Sequence, residues 1–446
     1  MQRFAKGFLV LLAALIFATP AVAMNINVNN TGDALIYPLY VALDGGWQTK
    51  LTVINTSEQY STVAKLVVRS WKNSQELLDF LLYLSPADVW TGTLKYDPAL
   101  GKVVMESTDD SCLVEIGVFA SATKPLYQPL VATSDPSDNG FLGYVYVINA
   151  ATNPTATGPS LAAKSGIFSW YHGLVGGVSG APLPVPAYPK NILSGYADIS
   201  WMGTGSSFAL KPVAVMNYQN KVWIDAGFET VLAGLNETSI GLVRLEDLLA
   251  KKTVRLPYYN SSTKGHSFHF FTFPTKISGI TDKHGFWWDI GTDRNSPADD
   301  KARACAVAGA KIFDTTEKFS VFSPSPVAQM CTEIFWVEAL PNIVPFPEGW
   351  IRYSFNSVPA IYDKQAGRGP GNPIVRDRYA PVIPFVVNVG PQGLFSLQTA
   401  WEGGDLNRYS FFDFKPGIDV PNAFVQGVDP AWNNWYTEPG LEVTPF

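Results

Sequence analysis

Short runs of alternating side chains, bounded by turn residues, constrain this fold more than any other feature of the sequence. In "GGWQTKLTVINTS", Trp47, Thr49, Leu51 and Val53 alternate with Gln48, Lys50, Thr52 and Ile54, and Asn55-Thr56-Ser57 supplies turn chemistry. A period of two places one set on each face of a half-buried strand. The run Thr62–Ser70 repeats the pattern, with Ala64, Leu66 and Val68 on one face and Lys65 and Arg69 on the other. Two amphipathic strands joined by a short polar loop predict a hairpin or sandwich element. Trp47 shares a face with Leu51 and Val53, so it is expected in a core rather than on a ligand surface.

The same reading extends along the chain. "NSQELLDFLLYLSPADVW" predicts a short turn and then a strand, stopped by Ser85-Pro86. Phe141–Asn149 ends in Val-Ile-Asn, as Lys50–Asn55 does, and both are expected as strands of one sandwich. Further strands are expected at Gly195–Met202, Phe208–Tyr218, Ser267–Phe273, Lys311–Asp314, Thr332–Glu338, Trp350–Phe355, Ile383–Val389 and Leu394–Trp401. One segment departs from the period of two. Between Ile240 and Lys252, Leu242, Leu245 and Leu249 fall at helical spacing and Asp247 stands four residues before Lys251, which predicts one short helix. Many short strands, 33 prolines and 37 glycines predict an all-β fold. The expected architecture is one or two β-sandwich domains, Ig-like or jelly-roll-like, with long loops and at most a few short helices.

Residues 1–23 combine Arg3 and Lys6, an apolar run from Phe8 to Ala18, and Ala21-Val22-Ala23, the pattern of a cleavable secretory signal peptide. The apolar run is too short for a spanning helix, and none is expected in the mature chain. The expected organisation is an N-terminal β-sandwich domain over 24–150, a Gly/Pro-rich linker or long loop over 151–189, and a C-terminal β-rich domain over 190–446. The formal charge of −6, without a Lys/Arg cluster, excludes nucleic acid as the main partner. Export permits a disulfide. Cys305 and Cys331, closer in sequence to each other than to Cys112, are the expected pair, although three cysteines allow three alternative bridges.

Catalytic and metal motifs are weak. His266 and His269, three apart in "HSFHFF", point to opposite faces of a strand and so cannot share a metal. "GGVSGAP" at Gly176–Pro182 lacks the final glycine of a nucleophile elbow, and Gly203-Thr204-Gly205 precedes a strand rather than a helix. Asp88, Glu333 and Glu338 are among 38 acidic residues, and Glu333 and Glu338 fall on opposite faces of a regular strand. "DIGTDRNSPADD" over Asp289–Asp300 lacks the EF-hand order and reads as a solvated loop. No catalytic, cofactor or metal set is expected. Trp287, Trp288, Trp432 and Trp435 lie in segments without strand alternation. They are candidate platforms for sugar rings, with loop-plugging as the competing reading. A terminal Phe446 raises a membrane barrel, which short strands and the proline in "GLEVTPF" disfavour.

"GGWQTKLTVINTS", "ELLDFLLYLSPADVW" and "FTFPTK", together with "FSPSP" at Phe322–Pro326 and "EGW" at Glu348–Trp350, resemble a family of uncharacterised, signal-bearing proteins of Gram-negative bacteria. The resemblance implies bacterial export and carries no site residues. The expectation is therefore a non-enzymatic exported protein of the cell envelope or cell surface, structural, adhesive or assembly-related. Its expected partners are itself, other envelope components or polysaccharide. A carbohydrate-binding protein using the loop tryptophans and a secreted hydrolase are the alternatives, and a periplasmic location is the alternative to the surface.

Overall fold

The computed structural model describes residues 25–153, 163–175, 189–218, 245–276, 286–287, 304–321, 328–339, 344–359, 377–390 and 393–399, apart from positions 116, 134, 136, 137, 204, 262–264, 317 and 357. The strands from the N-terminal side are β1 Asn25–Ile26, β2 Ala34–Val41, β3 Trp47–Asn55, β4 Thr62–Ser70, β5 Glu76–Leu84, β6 Val89–Asp97, β7 Lys102–Ser107, β8 Leu113–Glu115, β9 Val118–Phe119, β10 Leu126–Pro129 and β11 Leu142–Thr152. Helix α1 spans Lys164–Val175, followed by β12 Leu193–Trp201, β13 Ser206–Leu210 and β14 Val213–Met216. Helix α2, Leu245–Leu249, leads into β15 Thr253–Ser261, β16 Gly265–Thr272, β17 Ala306–Asp314, β18 Phe319–Val321, β19 Ala328–Met330 and β20 Ile334–Glu338. The remaining strands are β21 Glu348–Phe355, β22 Val358–Pro359, β23 Asp377–Arg378, β24 Ile383–Gly390 and β25 Gly393–Thr399. The fold is all-β and sandwich-like.

These strands build antiparallel layers. A middle sheet runs β1-β14-β2-β11-β4-β5, and an outer sheet runs β10-β7-β6-β3-β12-β13. Their facing sides share one core that includes Leu35, Tyr37, Leu66, Val145 and Val147 with Leu51, Val53, Leu94 and Ile199. The buried Tyr37 hydroxyl donates to the Thr52 carbonyl at 2.7 Å and ties the two sheets directly. A third sheet runs β18-β17-β21-β15-β16-β24-β25, with β19 beside β17 and β20 beside β16. It doubles back at the β15–β16 hairpin, and its two halves enclose a second core of Leu256, Tyr258, Phe271, Ile312, Ile351 and Tyr353. The Phe271 and Tyr353 rings meet at 4.8 Å across that core.

The half containing β16, β20 and β24 also covers the second face of the middle sheet. Ile334, Ile383 and Phe385 join the first core, Thr272 Oγ1 donates to the Pro38 carbonyl at 2.7 Å, and Ile334 N–H donates to the Trp71 carbonyl at 3.0 Å. Helix α1 covers another part of that face, where Ile167 and Tyr171 meet Val63, Tyr83, Ala150 and Ala151. The middle sheet is consequently buried on both sides, as the unbroken burial of β2 and β4 records.

This placement corrects three expectations. Lys65 and Arg69 do not face solvent; each is 5% exposed. Alternation in a doubly covered sheet records which layer each residue meets, not whether it meets water. The expected boundary at residue 150 does not divide the sheets. β12 and β13 extend the outer sheet beside β3, and β14 joins the middle sheet between β1 and β2. Part of the segment read as a linker or long loop is α1, and the described part of the helix expected over 240–252 is Leu245–Leu249. Pro38 lies in the interior strand β2, where the β11 pairing passes from Tyr37 to Tyr40, so the proline occupies an irregularity and not a ladder position. Trp47 packs at the rim of the first core, with its ring stacked on Trp201 across the β3–β12 pair at 5.7 Å.

Gly195 on β12 lies beneath the Tyr37–Thr52 bond. A Cβ there would stand 2.2 Å from both the Thr52 carbonyl oxygen and the Tyr37 hydroxyl. Gly195→Ala is expected to lose about 2 kcal/mol or more of unfolding free energy, through overpacking and a broken buried hydrogen bond. A lowered urea midpoint with an unchanged slope is the expected readout.

Candidate functional site

A group of ionisable side chains, several of them buried, lies along the seam where the middle sheet meets the β20 segment. On β4, Lys65 pairs with Asp79 of β5 at 2.6 Å, and Arg69 pairs with Glu76 at 2.8 Å. Arg69 also donates to the Tyr146 hydroxyl at 2.8 Å. The register explains the grouping: Lys65, Val67 and Arg69 share a face with Tyr144 and Tyr146 of β11 and with Glu76 and Asp79 of β5. Tyr144 donates to the Ser74 hydroxyl at 2.8 Å, where a left-handed Ser74 makes the turn into β5.

Deeper in the seam stand Lys276 and Glu333, 0% and 2% exposed, with Nζ and Oε1 3.8 Å apart. Lys276 Nζ also donates to the Cys331 carbonyl and lies 5.8 Å from the centre of the Trp287 ring. Burial pushes the Glu333 carboxyl up and the Lys276 ammonium down, while each charge partly restores the other. Nearby Asp138, itself buried, pushes Glu333 further up. Glu333 Oε2 and Asp138 Oδ2 make no hydrogen bond among the described residues.

A second polar cluster anchors α1. Asp88 accepts from the Ser85 amide at 3.0 Å and from the Ser111 hydroxyl at 3.2 Å, and it pairs with Lys164 at the start of the helix. Burial pulls the Lys164 ammonium down to about 8. With Asp88 at its Nζ, Lys164 is a tether between the helix and the Ser85–Asp88 turn. Among the described residues no group of three or more His, Cys, Asp and Glu could hold a metal ion.

The residues singled out in the sequence distribute as follows. Trp287 is fully buried, its ring closed in edge-on by Phe273 at 5.4 Å and Phe286 at 5.0 Å, so it is a plug in the second core and offers no face to a sugar. Trp288, Trp432 and Trp435, the loop Asp289–Asp300 and the "GGVSGAP" segment lie outside the described residues. Cys305 and Cys331 are joined in a disulfide beside the seam, and Cys112 is a buried free thiol pushed up to about 11 by burial. Glu333 precedes β20 and is buried, whereas Glu338 ends β20 and is half-buried. His266 and His269 occupy alternate positions of β16. His269 is enclosed, with Nε2 2.8 Å from the Pro257 carbonyl and Nδ1 2.8 Å from the Tyr353 hydroxyl. A carbonyl can only accept, so Nε2 carries the proton and Tyr353 donates to Nδ1.

Sequence reading missed Lys276, Tyr144, Tyr146 and Lys164, since nothing in their spacing distinguishes a buried charge from a solvated one. It also missed the pair Trp71 and Trp336. Their rings meet at 5.3 Å although they are far apart in the chain.

Two measurements check these roles. Burial holds His269 down at about 4, below its ordinary 6.5. Its contribution to stability is therefore complete above about pH 6.5 and is lost as pH falls towards 4, at about 1.4 kcal/mol per pH unit. His269→Gln is expected to flatten the stability–pH curve in that window, followed by denaturant unfolding. For the seam, Lys276→Met strands a buried carboxyl and is expected to cost about 3 kcal/mol, while Lys276→Met/Glu333→Leu regains most of it.

No family model, no curated protein and no solved structure matches this chain.

Proposed function

We propose that the chain is a non-enzymatic exported protein of the bacterial cell envelope, exposed at the cell surface, with a structural, adhesive or assembly role. The observation that carries this reading is the inward placement of its strongest electrostatics. Lys65–Asp79 and Arg69–Glu76 join neighbouring strands of the middle sheet, Lys276–Glu333 joins the segments beside β16 and β20, and Lys164–Asp88 holds α1 to the sandwich. Charged groups committed to joining strands and anchoring a helix favour a scaffold over a reaction centre. The Arg3/Lys6, apolar-run and Ala21-Val22-Ala23 pattern supports export. Among the described residues no helix is long and apolar enough to cross a membrane.

Protease treatment of intact cells, with a periplasmic protein as control, tests the location. The expected result is digestion of this protein while the control survives. Protection until the outer membrane is opened would overturn the surface placement, and recovery in the cytosol would overturn export altogether.

A further inference from the structure

The seam between the two sandwiches opens to solvent at an aromatic pair, Trp71 and Trp336. Trp336 of β20 is 40% exposed, an unusual position for so large a ring in a chain that buries Trp90 and Trp287 completely. Among the described residues β20 is an edge strand, paired with β16. Behind Trp336 stand Phe270 at 6.4 Å and, stacked on Phe270 at 5.1 Å, the buried Phe385. Beside it stands Trp71, at 5.3 Å and tilted by 54°, so the two indoles form a wedge and not a flat stack. The backbone bond from Ile334 N–H to the Trp71 carbonyl fixes one tryptophan against the other. That bond also fixes one sandwich against the other at this point.

The rim of the wedge is polar. Lys72 Nζ lies 5.2 Å from the centre of the Trp71 ring and 3.2 Å from Asp135 Oδ2. Gln75 reaches the Ala132 carbonyl at 3.1 Å on the exposed side of the same turn. A purely apolar partner would leave Lys72 and Asp135 desolvated beside it, and a highly charged one would gain nothing from the indoles. The occupant that fits is apolar on one face and hydroxylated around its edge, within the span of a single ring. A pyranose has that form: its axial C–H face can lie on an indole while its hydroxyls meet the charged groups of the rim.

We propose that Trp336 and Trp71, with Lys72 and Asp135 at their rim, form a binding subsite for a sugar ring of a neutral polysaccharide. The proposal deepens the adhesive reading and rests on it for its biological setting, but the binding itself belongs to the isolated protein. Trp336 is the platform, Trp71 is the side wall, and the ion pair supplies hydrogen bonds to hydroxyls. Of the tryptophans suggested by sequence, Trp287 is not the one used: it is shut inside the second core.

Affinity electrophoresis of the purified full-length chain through gels containing hydroxyethyl cellulose, dextran or galactomannan tests the subsite. At least one of these neutral polysaccharides is expected to retard the protein. Trp336→Ala is expected to weaken the retardation about tenfold, the loss of roughly one aromatic contact, with the thermal midpoint little changed because the ring is partly exposed. Asp135→Asn, a surface change, is the second probe and is expected to weaken binding several-fold, so the subsite stays testable if Trp336→Ala fails to fold. Absence of retardation by all three, or retardation unaffected by both substitutions, would overturn the proposal. Either outcome leaves the surface location to be decided by the protease experiment, so the two readings fail separately.

Discussion

The structure depends on a middle sheet that has no solvent face. Covering both sides of β2, β4 and β11 removes from water all but the first side chain of β11, and Lys65 and Arg69 with the rest. A charge taken from water without a partner costs several kcal/mol, and real proteins meet that cost with short ion pairs and hydrogen bonds. Here β5 supplies Asp79 and Glu76 from its half-exposed positions, and β11 supplies the Tyr146 hydroxyl. The order β11-β4-β5 places acceptors against donors along the same side. The doubled-back third sheet and α1 can then lie over that side without stranding a cation.

Much of the layer architecture was legible in the sequence, because alternation survives in any strand whose two faces meet different surroundings. Runs such as Thr62–Ser70, Ser267–Phe273 and Ile383–Val389 lie on β4, β16 and β24 within a residue or two. The expected strand at Phe208–Tyr218 is instead two, β13 and β14, separated at Lys211-Pro212, where the chain leaves the outer sheet for the middle one. The Gly, Ala and Ser of residues 163–175 hid a helix whose Ile167, Phe168 and Tyr171 fall at helical spacing. Length and composition suggested a break near 150, yet pairing partners are a tertiary property, and β12 found its partner in β3.

The site was less legible than the fold, and for a different reason. Trp71 and Trp336 meet only because a turn after β4 and an edge strand far along the chain are brought together by the packing of two sandwiches. No local pattern encodes such a meeting. Lys276 sits in "FTFPTK" among residues that read as core, and nothing in that phrase says whether its ammonium escapes to water or turns inward to Glu333. Trp287 shows the reverse case. Its setting outside any alternating run suggested an exposed loop, while the space between Phe273, Phe286 and Thr275 takes the ring in completely.

The pairing of β1 with β14 has a kinetic meaning. Asn25 lies opposite Met216 and Ile26 opposite Val215, while β2, at the centre of the middle sheet, is flanked by β11 and β14. β1 thus finds its neighbour, and β2 its second one, only once the chain has reached Val213–Met216. Long-range pairing of this kind carries a large loop-closure entropy and folds slowly. Until β14 arrives, a nascent chain presents one edge of β2 as open and apolar. Vectorial synthesis therefore delivers an incomplete middle sheet until β14 arrives, and that strand closes the last open edge of β2.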